Sequence, residues 1–191
     1  RAFFGCSSLK HIVIGESVES MGSDVLFKSD SIDTIYYNAR NCIYNPPSWY
    51  PEPANMKAFI IGDSVISFSN KLLRGSTRLE YLKIGNAITN IGDSAMHDCK
   101  NLENLIIGKS VVSIGDYAFN NCEKLNSIAF PNPLLTIGDF AFENCNAITS
   151  VVIPDYVTSI GIRAFYNCNS LSHLVIGKSV EGIGGNAFGG Y

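Results

Sequence analysis

The chain repeats itself every 23 residues, and that period constrains its fold more than anything else in it. Ile91, Ile114, Ile137, Ile160 and Ile183 each open a copy, and each is followed by glycine. Residues 114–136, IGDYAFNNCEKLNSIAFPNPLLT, form one complete unit. A fixed period between about twenty and fifty residues marks a solenoid, in which each unit stacks only on its neighbours. Such an array grows without adding domains, so 191 residues read as one elongated unit, 1–191. The chain opens in mid-repeat, at Arg1-Ala2-Phe3-Phe4-Gly5-Cys6, and reads as a piece of a longer array, so absent targeting signals carry no information.

Positions within the unit are counted from its first Ile. The third is often Asp (Asp93, Asp116, Asp139), and the fifth and sixth are Ala-Phe (Ala118-Phe119, Ala141-Phe142, Ala164-Phe165, Ala187-Phe188). The eighth tolerates a left-handed backbone: Gly5, Gly75, Asp98, Asn121, Asn144, Asn167. This half reads as one capped helical turn or a short 3-10 turn. The second half changes period. Leu102, Leu105 and Ile107, like Leu125, Ile128 and Phe130, outline L-x-x-L-x-L, and the last two of each set alternate inward as in a strand with one buried face. Gly or Pro at position eighteen (Gly85, Gly108, Pro131, Pro154, Gly177) then ends the strand. No coil can bury its apolar side chains alone. Stacking buries them, at roughly 1.5–3 kcal/mol per large side chain, with successive strands about 4.8 Å apart in one parallel sheet.

The phase slips once. Met21 and Phe68 are equivalent but 47 residues apart, two units plus one. Beyond the slip lies Asn45-Pro46-Pro47-Ser48-Trp49-Tyr50-Pro51-Glu52-Pro53, where proline replaces the turn and Trp49-Tyr50 take the Ala-Phe slots. An irregular coil over about 38–55 is expected there.

IGDYAFNNCEKL followed by I-x-[IF]-P and S-V-x-x-I resembles the leucine-rich repeats of the BspA-like class over nearly the whole chain. The resemblance implies an α/β, β-rich fold. The expected form is a right-handed leucine-rich-repeat solenoid of 23-residue coils, with one curved parallel sheet and short helical or 3-10 turns on the opposite side. It also implies a secreted or cell-surface protein that adheres to host proteins or cells, and a pattern without catalytic residues.

The remaining chemistry is sparse. Five of the six cysteines (Cys6, Cys99, Cys122, Cys145, Cys168) share position nine, one per coil, a row that cannot wrap around a single ion. They read as buried free thiols acting as small apolar spacers, with Cys42 as the accessible one. His11 and His173 share position fourteen at opposite ends of the array, roughly 30 Å apart at one strand spacing per coil, and His97 lies on the other side, so no catalytic triad forms. The Asp at position three reads as a helix cap, and the glycines as turn residues. No metal or cofactor is expected. A net charge of −3 points to neither nucleic acid nor anionic membrane, and no apolar run is long enough for membrane insertion.

Function therefore rests on the outward side of the sheet. Position sixteen reads Val13, Tyr36, Ile60, Lys83, Ile106, Ala129, Val152, Val175, an apolar stripe that either reflects β-propensity alone or marks a binding surface. The expected site is Tyr36, Ile60, Tyr81, Lys83, Glu103 and Ile106, facing a protein or glycan ligand without catalysis. A structural spacer holding another domain off the cell surface is the alternative.

Overall fold

The computed structural model describes residues 2–21, 25–26, 28–40, 55–68 and 70–190. The Pro-rich stretch, Trp49-Tyr50 and Cys42 lie outside the described residues. The chain is a parallel β-solenoid with two ladders of short strands. The outer-sheet ladder holds β1 (His11–Ile14), β2 (Thr34–Tyr37), β3 (Ala58–Ile61), β4 (Tyr81–Lys83) and β6 (Asn104–Ile106), in that spatial order, followed by the separate pair β9 (Ser150–Val152) and β11 (His173–Val175). The second ladder, where one unit passes into the next, holds β5 (Asn90–Ile91), β7 (Ser113–Ile114), β8 (Thr136–Ile137), β10 (Ser159–Ile160) and β12 (Gly182–Ile183).

Register follows the repeat. Ile12, Ile35, Phe59, Leu82 and Leu105 are partners across five successive outer strands. Slipping one strand by one residue would turn its apolar set outward, so burial of this row fixes the alignment. The first two strands show it plainly, with Ile12, Ile14, Ile35 and Tyr37 buried and Val13 and Tyr36 exposed. Inside the coils, the phenylalanines of position six stack face to face. Phe119, Phe142, Phe165 and Phe188 follow one another at ring distances of 5.1, 5.1 and 5.3 Å, within 7° of parallel.

The turn side departs from the expected helix or 3-10 turn: among the described residues no helix is present. Position eight is left-handed as expected, at φ 57–63° in Asp98, Asn121, Asn144 and Asn167, but position four is left-handed as well, at φ 52–56° in Ser94, Tyr117, Phe140, Arg163 and Asn186. Two left-handed residues in five break any helix. They also turn alternate N–H groups along the solenoid axis. Ser94, Met96 and Asp98 donate to Asp116, Ala118 and Asn120 of the next coil at 2.8–2.9 Å, while Ala95, His97 and Cys99 close turns within their own coil. Every second donor is spent on a neighbouring coil, so the backbone is satisfied by stacking and needs no helix.

Three side-chain ladders run the same way. The Asp of position three does not cap its own coil. Asp93, Asp116 and Asp139 each accept, through Oδ1, the N–H of the equivalent residue one coil on (Asp116, Asp139, Ile162) at 3.0, 2.8 and 2.6 Å. At position eight, Asn121, Asn144 and Asn167 donate their amides to Asp98, Asn121 and Asn144. At position nine the thiols are free, and buried in Cys99, Cys122, Cys145 and Cys168. They are more than spacers. Each donates S–H to a carbonyl of the previous coil, Cys122 to Met96, Cys145 to Phe119 and Cys168 to Phe142. Ser29 fills the same slot with a hydroxyl that donates to the carbonyl of Phe3. Burial pushes the thiols of Cys122 and Cys145 well above their ordinary pKa, and Cys168 up to about 12.

The glycines of position two also differ from the turn reading. At Gly115, Gly138 and Gly161 an added Cβ would lie 2.4–3.0 Å from atoms of the previous coil, its backbone among them. Here glycine is required by close approach between coils rather than by a left-handed backbone.

Candidate binding surface

The outer strands carry the expected site because side chains alternate across a pleated sheet, so the residues between the buried ones must face outward. Register sets Val13, Tyr36, Ile60, Lys83 and Ile106 side by side as direct cross-strand partners, and Tyr81 beside Ala58 and Asn104 in the adjoining row. Tyr36 and Ile106 are the most open of the expected residues, at 41% and 47% exposure. Ile60, Tyr81, Lys83 and Glu103 are half-buried by their neighbours. Tyr36, Ile60, Tyr81, Lys83 and Ile106 thus lie on one face across β2, β3, β4 and β6, and Glu103 stands just before β6, at the edge of that face.

Charges border this stripe in balanced pairs. Lys83 reaches Asp63 at 3.4 Å, Lys57 reaches Glu80 at 3.1 Å, and Lys124 reaches Glu103 at 3.7 Å. Exposed pairs of this kind contribute little to stability, but they neutralise the charges on and beside the row. The backbone N–H of Asn86, together with Lys83, holds the Asp63 carboxyl below its ordinary pKa.

Two features of the surface were not anticipated. Ile107 was expected to be buried in the seam between coils. It is half-buried, as are Leu105, Ile128 and Phe130, because residues 126–130 form no strand and leave the seam partly open. On the turn side, the left-handed position four carries a stack of large side chains. Tyr117 lies on Phe140 at 4.7 Å and 7°, and the Arg163 guanidinium sits 6.0 Å from the Phe140 ring and 4.8 Å from that of Tyr166. Tyr117 and Arg163 are exposed, and Phe140 and Tyr166 are half-buried. The readable signal was the identity of position four itself, where bulky Tyr117, Phe140 and Arg163 occupy the site that Ser94 and Asn186 fill elsewhere. His11 and His173 are exposed on the first and last outer strands, and His97 rests 6.3 Å from the ring of Tyr117 on the turn side. Among the described residues no three His, Cys, Asp or Glu are placed to hold a metal ion, and no helix is long and apolar enough to cross a membrane.

Comparison with known proteins agrees with the geometry. Among solved structures, a leucine rich repeat protein of T. pallidum aligns with a TM-score of 0.60 at 23% identity, covering 66% of this chain and 72% of its own. The pneumococcal vaccine antigen PcpA aligns with a TM-score of 0.54 at 16% identity, covering 93% of this chain and 55% of its own. At such identities the likeness is one of fold. No curated protein matches the sequence. The BspA type leucine rich repeat region, however, matches residues 1–103 and 89–191 in six copies. The matches together span the whole array just described, and the chain belongs to the BspA type leucine rich repeat family.

Proposed function

We propose that this chain is a non-enzymatic adhesion module, displayed at a cell surface or secreted, that recognises a protein or glycan ligand through the outer face of its sheet. The observation that carries the reading is the in-register row Val13, Tyr36, Ile60, Lys83, Ile106. It is a largely apolar strip, broken only by the ion-paired Lys83, with Val13, Tyr36 and Ile106 open to solvent. A contiguous apolar patch with a polar rim is the surface type that marks interaction sites, and aromatic residues near its centre are the usual anchors. The pneumococcal relative in fold is described as a vaccine antigen, which fits display outside the cell.

The test is binding of the purified chain to a panel of extracellular-matrix proteins and to a glycan array, beside the double variant Tyr36→Ala/Tyr81→Ala. The variant keeps the fold, since neither side chain is part of the core, and loses about 30-fold or more in affinity if these residues are anchors. Equal binding by the two proteins removes the site from the sheet face. A second reading, a spacer without a ligand of its own, draws on the Asp, Asn and Cys ladders that tie coil to coil; it predicts no binding anywhere on the panel.

A further inference from the structure

Among the described residues the outer sheet is interrupted at one place, the coil of residues 114–136. β6 pairs only with β4, and β9 only with β11, so nothing is laddered to residues 126–130 from either side. The missing bonds can be named from intact coils. At position seventeen, Ile84 N–H donates to Ile106 C=O at 2.8 Å and Ile153 N–H to Val175 C=O at 2.9 Å. At position fourteen, Tyr81 N–H donates to Lys57 C=O at 2.9 Å and Asn104 N–H to Glu80 C=O at 3.1 Å. The equivalent bonds from Ile107, Phe130, Ser127 and Ser150 do not form. Apolar side chains at the gap show the same opening. Leu105, Ile107, Ile128 and Phe130 are half-buried, whereas Leu82, Ile84, Val151 and Ile153 in flanking coils are at most 1% exposed.

The cause lies in this coil's own residues. At outward position sixteen it has Ala129, a weak strand former, where Tyr36, Ile60, Ile106, Val152 and Val175 stand in paired strands. Phe130 stands where most coils have Ile. Its ring leans forward along the axis and packs edge-on against Phe142 and Phe165, one and two coils ahead.

The other side of the same coil is continuous. β7, β8 and β10 remain paired, Gly138 N–H donates to Ile114 C=O at 2.8 Å, and Phe119 and Phe142 N–H donate to Ala141 and Ala164 C=O at 2.7 Å. On the outer side, among the described residues, only Lys124 N–H to Lys100 C=O, at 3.2 Å, and the exposed pairs Lys100–Glu123 and Lys124–Glu103 tie this coil back to the one before it. A stack laddered along one side and without a strand ladder along the other for two successive interfaces bends about the laddered side. We propose that this coil is a hinge in the array, dividing the outer face into two plates, one carrying the row from Val13 to Ile106 and the other carrying Val152 and Val175. The angle between the plates is then adjustable, whatever molecule binds them.

Position sixteen supplies two label pairs of equal span that share one site. Val13→Cys with Lys83→Cys lies within the continuous sheet, and Lys83→Cys with Val152→Cys crosses the gap, each three coils apart. The native ladder thiols are buried, so a Cys6→Ser/Cys42→Ser background suffices for nitroxide labelling and pulsed dipolar distance measurement. The hinge predicts a distance distribution at least 1.5-fold wider across the gap than within the sheet. It also predicts that Phe130→Ile, the residue of Ile84 and Ile153, narrows the wide one. Amide exchange in the wild-type chain gives a second readout: Ile107 and Phe130 exchange at least tenfold faster than Ile84 and Ile153. Equal widths for the two pairs, or equal exchange rates, overturn the proposal.

Discussion

Gly138→Ala adds a single methyl group, and the structure predicts a large effect from it. The new Cβ would lie 2.6 Å from Asp116 Oδ1 and 2.7 Å from both the Asp116 nitrogen and the Gly115 carbonyl carbon. Ordinary contact begins at 3.4 Å, so the two coils must separate by about 0.7 Å, the shift from 2.7 to 3.4 Å that removes the overlap. Two bonds hold them where they are, Gly138 N–H to Ile114 C=O and Asp139 N–H to Asp116 Oδ1, each 2.8 Å long. Stretching both by that amount takes them out of hydrogen-bonding range. Their loss, at about 1 kcal/mol each, adds to roughly 1–3 kcal/mol for overpacking. The expected destabilisation is about 3–5 kcal/mol, or a fall in Tm of roughly 6–20 °C for a chain of this length. Gly182→Ala is the internal control. A Cβ there meets nothing within 4 Å and the backbone is not left-handed, so it leaves stability unchanged or raises it by about 0.4–1 kcal/mol. Thermal and urea unfolding followed by circular dichroism reads both variants. A Gly138→Ala melting point at or above that of Gly182→Ala refutes the claim that position-two glycines exist for close approach.

Other expectations follow from the same contacts. Cys122→Ser keeps a donor to the Met96 carbonyl, as Ser29 does in its own coil, and loses less than about 1 kcal/mol. Cys122→Ala leaves the carbonyl one donor short beside a small void and loses about 1–2 kcal/mol in urea titration. Because the folded pKa values of Cys122, Cys145 and Cys168 are raised by burial, the protonated thiols contribute stability that is complete below about pH 9. That contribution declines toward the folded value, about 12 for Cys168, by about 1.4 kcal/mol per pH unit per thiol. Urea midpoints between pH 8 and 11 should fall accordingly, and fall less in a Cys122→Ser/Cys145→Ser chain. Ile84→Lys places a charge among fully buried neighbours and prevents folding, whereas Ile107→Lys, beside the open seam, gives a folded but weakened chain by circular dichroism.

Much of this architecture was legible in the residues. The 23-residue spacing of Ile-Gly, the Ala-Phe pair and the L-x-x-L-x-L outline locate the coils, the buried column and the outward row, because one residue per coil at a fixed position can only stack on its equivalents. Position eight was readable as left-handed because Asn and Gly recur there. Position four was not, because Tyr117, Phe140 and Arg163 are poor choices for that backbone and hide the geometry they adopt. The role of Asp93, Asp116 and Asp139 was misread for a related reason. An Asp before Ala-Phe looks like a cap, and only the neighbouring coil shows which N–H it accepts. The gap at residues 126–130 had a visible sign in Ala129 and Phe130, but a strand's weakness becomes evident only beside stronger ones.

The stacking register that brings Tyr36, Ile60 and Lys83 onto a single face can be observed bond by bond. Through-hydrogen-bond scalar couplings between amide nitrogen and carbonyl carbon, recorded on the isotopically labelled, deuterated chain, report donor and acceptor directly. The structure predicts cross-peaks from Ala58 to Asp33, Tyr81 to Lys57, Asn104 to Glu80 and Ile84 to Ile106. Couplings that instead connect these amides to carbonyls in another register, or within their own coil, would contradict the solenoid and every surface assignment drawn from it.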